Sequence, residues 1–309
     1  MSRAYLCVSI DTECDKGPEK RSRRPMSFEG VHVGILQRLQ PLFAAYRAKP
    51  TYLVSPEVLG DERCAEELKG IGATCELGAH LHAEQADLGA REPDLGREPR
   101  DDEGELERRR LRDLTDQFIR TFDHQPVSFR AGRFGIGPRT IGILEELGYG
   151  VESSVTPNVD WSSAGWAGLS FEGAPTQPYR PDREDPARPG SSSLLEIPIT
   201  IRRRLLNALP GIGKRVEPRW LRPTWTTGEG LVRLAEDEIA DARRSAPGRA
   251  VVLNAMLRST EVIADASPYA PDEPQARTIL DRLRALLDYC ERESITVIGL
   301  GDVPEVLRA

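Results

Sequence analysis

The chain has 309 residues, of which 39% are hydrophobic and 29% charged, the composition of a folded globular protein rather than a disordered or fibrous one. Lys and Arg number 42 against 49 Asp and Glu, a net charge of −7 with no general pull toward phosphate backbones, so nucleic acid is not expected as a main partner. No stretch approaches the roughly 20 apolar residues of a membrane helix, and the opening MSRAYLCVSIDTECDKG meets acids before any apolar signal segment; a cytoplasmic, not transmembrane, protein is expected.

Along the chain, short apolar runs rich in β-branched residues alternate with longer segments of helical period. Strands are predicted over Tyr5–Ile10, Thr51–Ser55, Thr74–Gly78, Val127–Phe129, Gly150–Ser154, Leu194–Ile199, Ala250–Asn254 and Thr296–Gly299. Helices are predicted over His32–Tyr46, Asp61–Gly70, Asp102–Phe122, Pro138–Gly148, Thr227–Ala246 and Pro274–Ser294. Alternating strands and helices call for a parallel sheet, and seven or eight such units for a barrel. No linker separates two domains, so residues 1–309 read as one barrel, with long loop insertions near 84–105 and 155–225. The run from Arg202 to Arg222 is basic and offers an anionic substrate group a partner, although a solvated face explains it as well. Cys7, Cys14, Cys64, Cys75 and Cys290 are odd in number and lack any C-x-x-C spacing, which points to reduced, buried thiols rather than disulfides or a thiolate zinc site.

In parallel barrels the chemistry sits where strands end, because the strand-to-helix loops converge there. Asp11-Thr12-Glu13 follows the first strand, His80-Leu81-His82-Ala83-Glu84 the third and Arg130-Ala131-Gly132-Arg133 the fourth. Acids, imidazoles and a guanidinium are the ingredients of metal-assisted hydrolysis. Asp11 and Glu13 are two apart and share a side of an extended strand, as do His80 and His82. Should the chain turn helical after His80, Glu84 takes the place of His82 on that side. Singly, each is an ordinary surface acid or core histidine; the weight lies in two of only four histidines standing together behind a strand. His32 and His124 have no partner that the sequence names.

These residues resemble motifs of the polysaccharide deacetylase family, carbohydrate esterase family 4, over most of the chain. Ser9-Ile10-Asp11-Thr12-Glu13 is similar to the first motif, Glu76-Leu77-Gly78-Ala79-His80-Leu81-His82 to the second and Phe129-Arg130-Ala131-Gly132-Arg133-Phe134 to the third. Asp160-Trp161 matches the fourth in two residues, and Leu253-Asn254-Ala255-Met256-Leu257-Arg258-Ser259 with Ser267-Pro268-Tyr269 is similar to the fifth. The resemblance implies a distorted (β/α)7-8 barrel that removes an N- or O-linked acetyl group from a carbohydrate or glycoconjugate with a divalent metal. It assigns Asp11 as base, Glu13, His80 and either His82 or Glu84 as metal ligands, and Arg130 as the partner that holds the base. Asp160 joins the catalytic set, with Trp161 and Arg133 at the substrate.

Two positions depart from that pattern. Glu84 stands where a second ligating histidine is expected, and Arg258 where a histidine protonates the leaving group. Arginine keeps its proton with a pKa above about 12, which favours an ester over an amide as the bond cleaved. Zinc is the expected metal, and an oxygen-richer set with Glu84 tilts preference toward manganese or magnesium. Sugar phosphates or lipid-linked sugars are the expected substrates. Two other readings stand beside this one: a catalytically impaired barrel that binds a sugar or partner, and a metal-free amidohydrolase on the same fold.

Overall fold

The computed structural model describes residues 2–17, 25–82, 101–162, 169–203 and 218–308. Strand β1, Ala4–Thr12, is buried at every position but Tyr5, as a strand covered on both faces must be. A π-type helical segment, Gly30–Leu39, continues into α1, Gln40–Ala45. Then come β2 (Thr51–Val54), α2 (Pro56–Leu59), α3 (Glu62–Ile71) and β3 (Glu76–Leu81). Next are α4 (Asp101–Phe122), β4 (Ser128–Ala131), α5 (Pro138–Glu146), β5 (Val151–Glu152) and β6 (Leu195–Glu196). The short strands β7 (Ile201–Arg202) and β8 (Arg219–Trp220) precede α6 (Gly228–Ser245), β9 (Val251–Arg258), α7 (Glu273–Arg292), β10 (Thr296–Ile298) and α8 (Val303–Val306). Every predicted strand and helix has its counterpart, while α2, α8, β7 and β8 are too short to carry a period of their own.

The main sheet runs β10-β1-β2-β3-β4-β5-β6, with β9 also on β1. Each recorded ladder in it is parallel, and the strands follow chain order from β1 to β6, the topology of a distorted (β/α) barrel. No helix among the described residues is long and apolar enough to cross a membrane.

By internal contacts the chain divides into two compact units, Met1–Gly78 with Trp220–Ala309, and Ala79–Arg219. In the first, β9 pairs with β1 from Ala4 to Asp11 along one edge, while β10 takes Tyr5 to Cys7 and β2 takes Ser9 to Thr12 on the other. Leu6, Val8, Ile10, Leu253, Ala255 and Leu257 are completely buried there, each large aliphatic side chain contributing about 1.5–3 kcal/mol. Helices α3, α6 and α7 each begin on a side-chain cap, from Asp61, Thr227 and Asp272 respectively, the arrangement that satisfies a first-turn N–H. In the second unit, Leu111, Leu114, Phe118 and Phe122 form the apolar stripe of α4 at helical spacing. Phe129 of β4 packs edge-on against Tyr149, whose hydroxyl meets Thr115 at 2.9 Å. All five cysteines are buried and outside any disulfide, as their spacing predicts.

Candidate active-site residues

In the first unit the acids of β1 and the basic end of β9 lie side by side. Asp11 and Arg258 are register partners on neighbouring strands, and Asp11 and Glu13 are 3% and 1% exposed. The Arg258 guanidinium lies 3.3 Å from the Glu13 carboxylate through Nε and 3.5 Å from Glu261 through Nη1. Lys16 also pairs with Glu13. Burial works against the charge of Arg258, but Glu13, Glu261 and Asp11 outweigh it and hold the guanidinium more firmly protonated than usual. Arg258 is therefore a fixed positive charge, not a proton donor.

Behind it lies an ionic cluster that sequence reasoning did not assemble. Glu261 is completely buried and accepts from Arg222 and from the Thr224 hydroxyl. The Arg222 guanidinium sits 4.0 Å above the Trp225 ring, a cation–π geometry. Arg222 is thus a buried structural cation rather than part of a solvated basic patch; Arg204, Lys214 and Arg215 of that run lie outside the described residues. Close packing places Glu261: a Cβ on Gly34 would stand 2.6 Å from the Ser259 carbonyl, so only glycine lets the π-type segment approach the turn Ser259–Val262.

In the second unit His80 lies inside β3, not after it. The strand starts two residues later than its predicted limit because Thr74 is still closing a turn, its N–H bonded to the Ile71 carbonyl at 2.9 Å. His80 pairs in register with Arg130 of β4, and its Nδ1 lies 2.9 Å from the Arg130 carbonyl. A carbonyl accepts only, so Nδ1 carries the proton and Nε2 the lone pair, the tautomer a metal ligand needs. The backbone stays extended through Leu81, which brings the His82 ring to 4.9 Å from that of His80, edge to face. Both are buried. His82 therefore lies beside His80, and Glu84 lies outside the described residues.

Gly132 makes room for His82. A Cβ there would fall 2.4 Å from Cγ of the ring, so the imidazole lies on bare backbone at the end of β4. Arg133 and Phe134 follow with φ of 53° and 59°, a left-handed pair in non-glycine residues, which costs of order 1–3 kcal/mol each and gathers at functional sites. The completely buried Arg130 donates from Nε to the Ser153 carbonyl at 2.7 Å and from Nη2 to the Ser153 hydroxyl at 3.0 Å. Trp161 stacks on Phe134 at 5.6 Å and donates from Nε1 to Thr156 at 2.9 Å. Asp160 and Arg133 are solvent-exposed, and Asp160 accepts from the Ser162 N–H at 2.9 Å.

A buried acid pair in this unit was also not anticipated. Glu152 of β5 and Glu196 of β6 are register partners, both completely buried. Burial, then the neighbouring Glu152 carboxyl, push Glu196 well above the usual carboxylate range, although Arg130 pulls the other way. Nothing in the sequence marks this pair, since neither residue lies in a recognisable motif. His32 gains a partner that its sequence context hides, Glu67, at 2.6 Å.

No family model and no curated protein matches the sequence. Solved structures do match. A protein provisionally assigned as a polysaccharide deacetylase from Mycobacterium smegmatis is 17% identical with a TM-score of 0.58, over 99% of this chain and 91% of that one. A protein provisionally assigned as a glycoside hydrolase/deacetylase from Parabacteroides distasonis is 12% identical with a TM-score of 0.68, over 99% and 71%. Puue allantoinase is 13% identical with a TM-score of 0.58, over 99% and 90%. The chain has the fold these proteins share, the expected deacetylase-type barrel, and at such identity the likeness extends no further than fold.

Proposed function

We propose that the chain is a metal-dependent hydrolase that removes an acetyl group from a carbohydrate or glycoconjugate. The observation that carries this reading is His80, buried at the end of a parallel strand with Nδ1 committed to a carbonyl, and His82 packed beside it. Glu13, His80 and His82 are all buried. Two imidazoles with one carboxylate are a donor set of catalytic zinc, which keeps one position open for water or substrate. Manganese or magnesium is the alternative metal. When bound, such an ion polarises an acyl carbonyl and acidifies water.

The remaining steps belong to the chain's own residues. Asp11, with its carboxylate at the end of β1, is the proposed base that takes the proton of the attacking water. Arg130 is the proposed residue that keeps the base oriented. Arg258 supplies a permanent positive charge that stabilises developing oxyanion character. It has no proton to give a departing amine, which makes an ester or an activated amide the better substrate. Proteins that share the fold, one provisionally assigned as a polysaccharide deacetylase and one an allantoinase, support hydrolysis of an acyl bond as the reaction class. Arg133, in the left-handed turn after β4, and Trp161, stacked on Phe134, are proposed to meet the sugar, and Asp160, next to Trp161 in the chain, is proposed to join the catalytic set.

The test is acetate release from acetylated amino-sugar phosphates and from simple acetyl esters, with zinc, manganese or magnesium supplied. Activity lost on chelation, restored by metal, and absent in Asp11→Asn and His80→Ala is the expected result. Activity that survives exhaustive chelation would establish a metal-free amidohydrolase instead. Sugar binding without turnover under every metal would establish a binding protein.

A further inference from the structure

A second set of metal-ligating side chains lies wholly within the first unit and is used by none of the chemistry above. A ring nitrogen of His32, a carboxylate oxygen of Asp61 and Sγ of Cys64 lie within 4.8 Å of one another. They come from two elements, the π-type segment and the start of α3. From these residues we infer a second cation site, for a thiophilic divalent ion of the zinc class, with His32, Asp61 and Cys64 as its protein ligands.

The three donors are of the kinds zinc prefers, one sulfur, one imidazole nitrogen and one carboxylate oxygen. In a tetrahedral zinc site ligand atoms stand about 3.5 Å apart, so occupancy draws these side chains inward by an ångström or less at each. Glu67 supplies the outer contact that such a histidine requires. Its carboxylate lies 2.6 Å from Nδ1 of His32, the carboxylate–imidazole pairing that fixes the tautomer and leaves Nε2 with the lone pair. Cys64 is completely buried, whereas the His32 and Glu67 side chains are 11% and 21% exposed, so an ion reaches the sulfur from the His32 side.

The helix explains only part of the arrangement. Asp61 is the cap of α3 through one oxygen, 2.9 Å from the Cys64 N–H, and capping alone needs neither a thiol nor an imidazole at that place. Burial first, then Asp61 and Glu67, hold the Cys64 thiol protonated above its usual range, so an ion that binds there displaces the thiol proton, and the two carboxylates then face the bound cation. A lone acidic cluster would select hard ions indiscriminately; sulfur beside imidazole discriminates against magnesium and calcium.

Cobalt(II) is the probe, titrated into the full-length chain after chelation and removal of bound metal. A near-ultraviolet thiolate-to-cobalt charge-transfer band is expected, saturating within the two equivalents that this site and the proposed catalytic site would take together, and displaced by zinc. Cys64→Ser abolishes the band, and His32→Ala weakens cobalt binding about 10- to 100-fold, the usual cost of a lost ligand or outer partner. Asp61→Asn preserves the helix cap and removes the charge, so it weakens cobalt binding at least about tenfold with the thermal melt retained. His80→Ala leaves the band intact, which separates this site from the proposed catalytic metal. Absence of a thiolate band at saturating cobalt, a band that persists in Cys64→Ser, or unchanged affinity in Asp61→Asn would each overturn the site.

Discussion

In the proposed hydrolysis, Arg258 decides which bond is cleaved. Its guanidinium is held protonated by Glu13, Glu261 and Asp11 against the effect of burial, and one of its contacts falls on Glu13, a proposed metal ligand. Arg258→His replaces a permanent cation with a group that exchanges protons near neutrality and removes one competitor of the metal for Glu13. N-acetyl hydrolysis is expected to rise about 10²-fold while ester hydrolysis changes less, measured on matched amide and ester substrates. Equal change in both would show that no proton is missing from the wild-type pocket. Gly132 is the opposite case, a residue whose value is its lack of a side chain. Gly132→Ala puts a Cβ 2.4 Å from the His82 ring and forces the ring away. Metal affinity is expected to fall about 10- to 100-fold with the circular dichroism spectrum retained. Unaltered affinity would remove His82 from the proposed ligands.

Among the elements, strands that carry the candidate site show how far sequence periodicity reaches. β1 and β4 lie within two residues of their predicted limits, because apolar runs bounded by polar loops mark buried parallel strands. β9 extends four residues beyond its prediction, to Arg258: a strand buried on both faces has no alternation to show where it stops. β3 is displaced toward its C-terminus because Thr74 and Cys75, β-formers by type, belong to the preceding turn. The extended chain through Leu81 puts the His82 ring beside that of His80, while Glu84 lies outside the described residues. Pairings between distant segments were not legible at all. The partners Glu152 and Glu196 meet only because β5 and β6 are neighbours in the sheet, and like charges placed directly opposite destabilise. Burial first, and then the Glu152 carboxyl, hold Glu196 above its ordinary 4.5 in the folded state. The folded state binds the extra proton, so stability from this group is full below that ordinary value and declines as pH rises above it. Glu196→Gln is expected to raise the Tm at about pH 8 by a few degrees and to leave it nearly unchanged at about pH 4. A gain of equal size at both pH values would mean that the pair is not the cause.

At the scale of the molecule, carboxylates of both kinds set the response to acid. Glu107 and Glu196 are raised, the first by burial and the second by burial with Glu152, and both favour folding as pH falls. Asp61 is lowered by the Cys64 N–H, and Glu273 by Arg277 and Arg38. Burial would raise Glu145, but hydrogen bonds from Arg183, Ser193 and Ser192 overcome it and bring the group down to about 2. This carboxylate on α5 fastens the segment that leads into β6, accepting from the Ser192 hydroxyl at 2.9 Å, the Ser193 hydroxyl at 2.8 Å and Arg183 at 2.7 Å. Its folded value lies below its ordinary 4.5, so the stabilisation is complete above that pH and is lost as pH falls toward about 2. Glu145→Gln removes the charge that Arg183 and the serines hold. The variant is expected to melt below wild type near neutrality and to converge with it as pH falls from about 4.5 to about 2. Parallel melting curves for the two proteins across that range would show that the fastening is not ionic, and that the contacts around β6 hold the segment without the charge of Glu145.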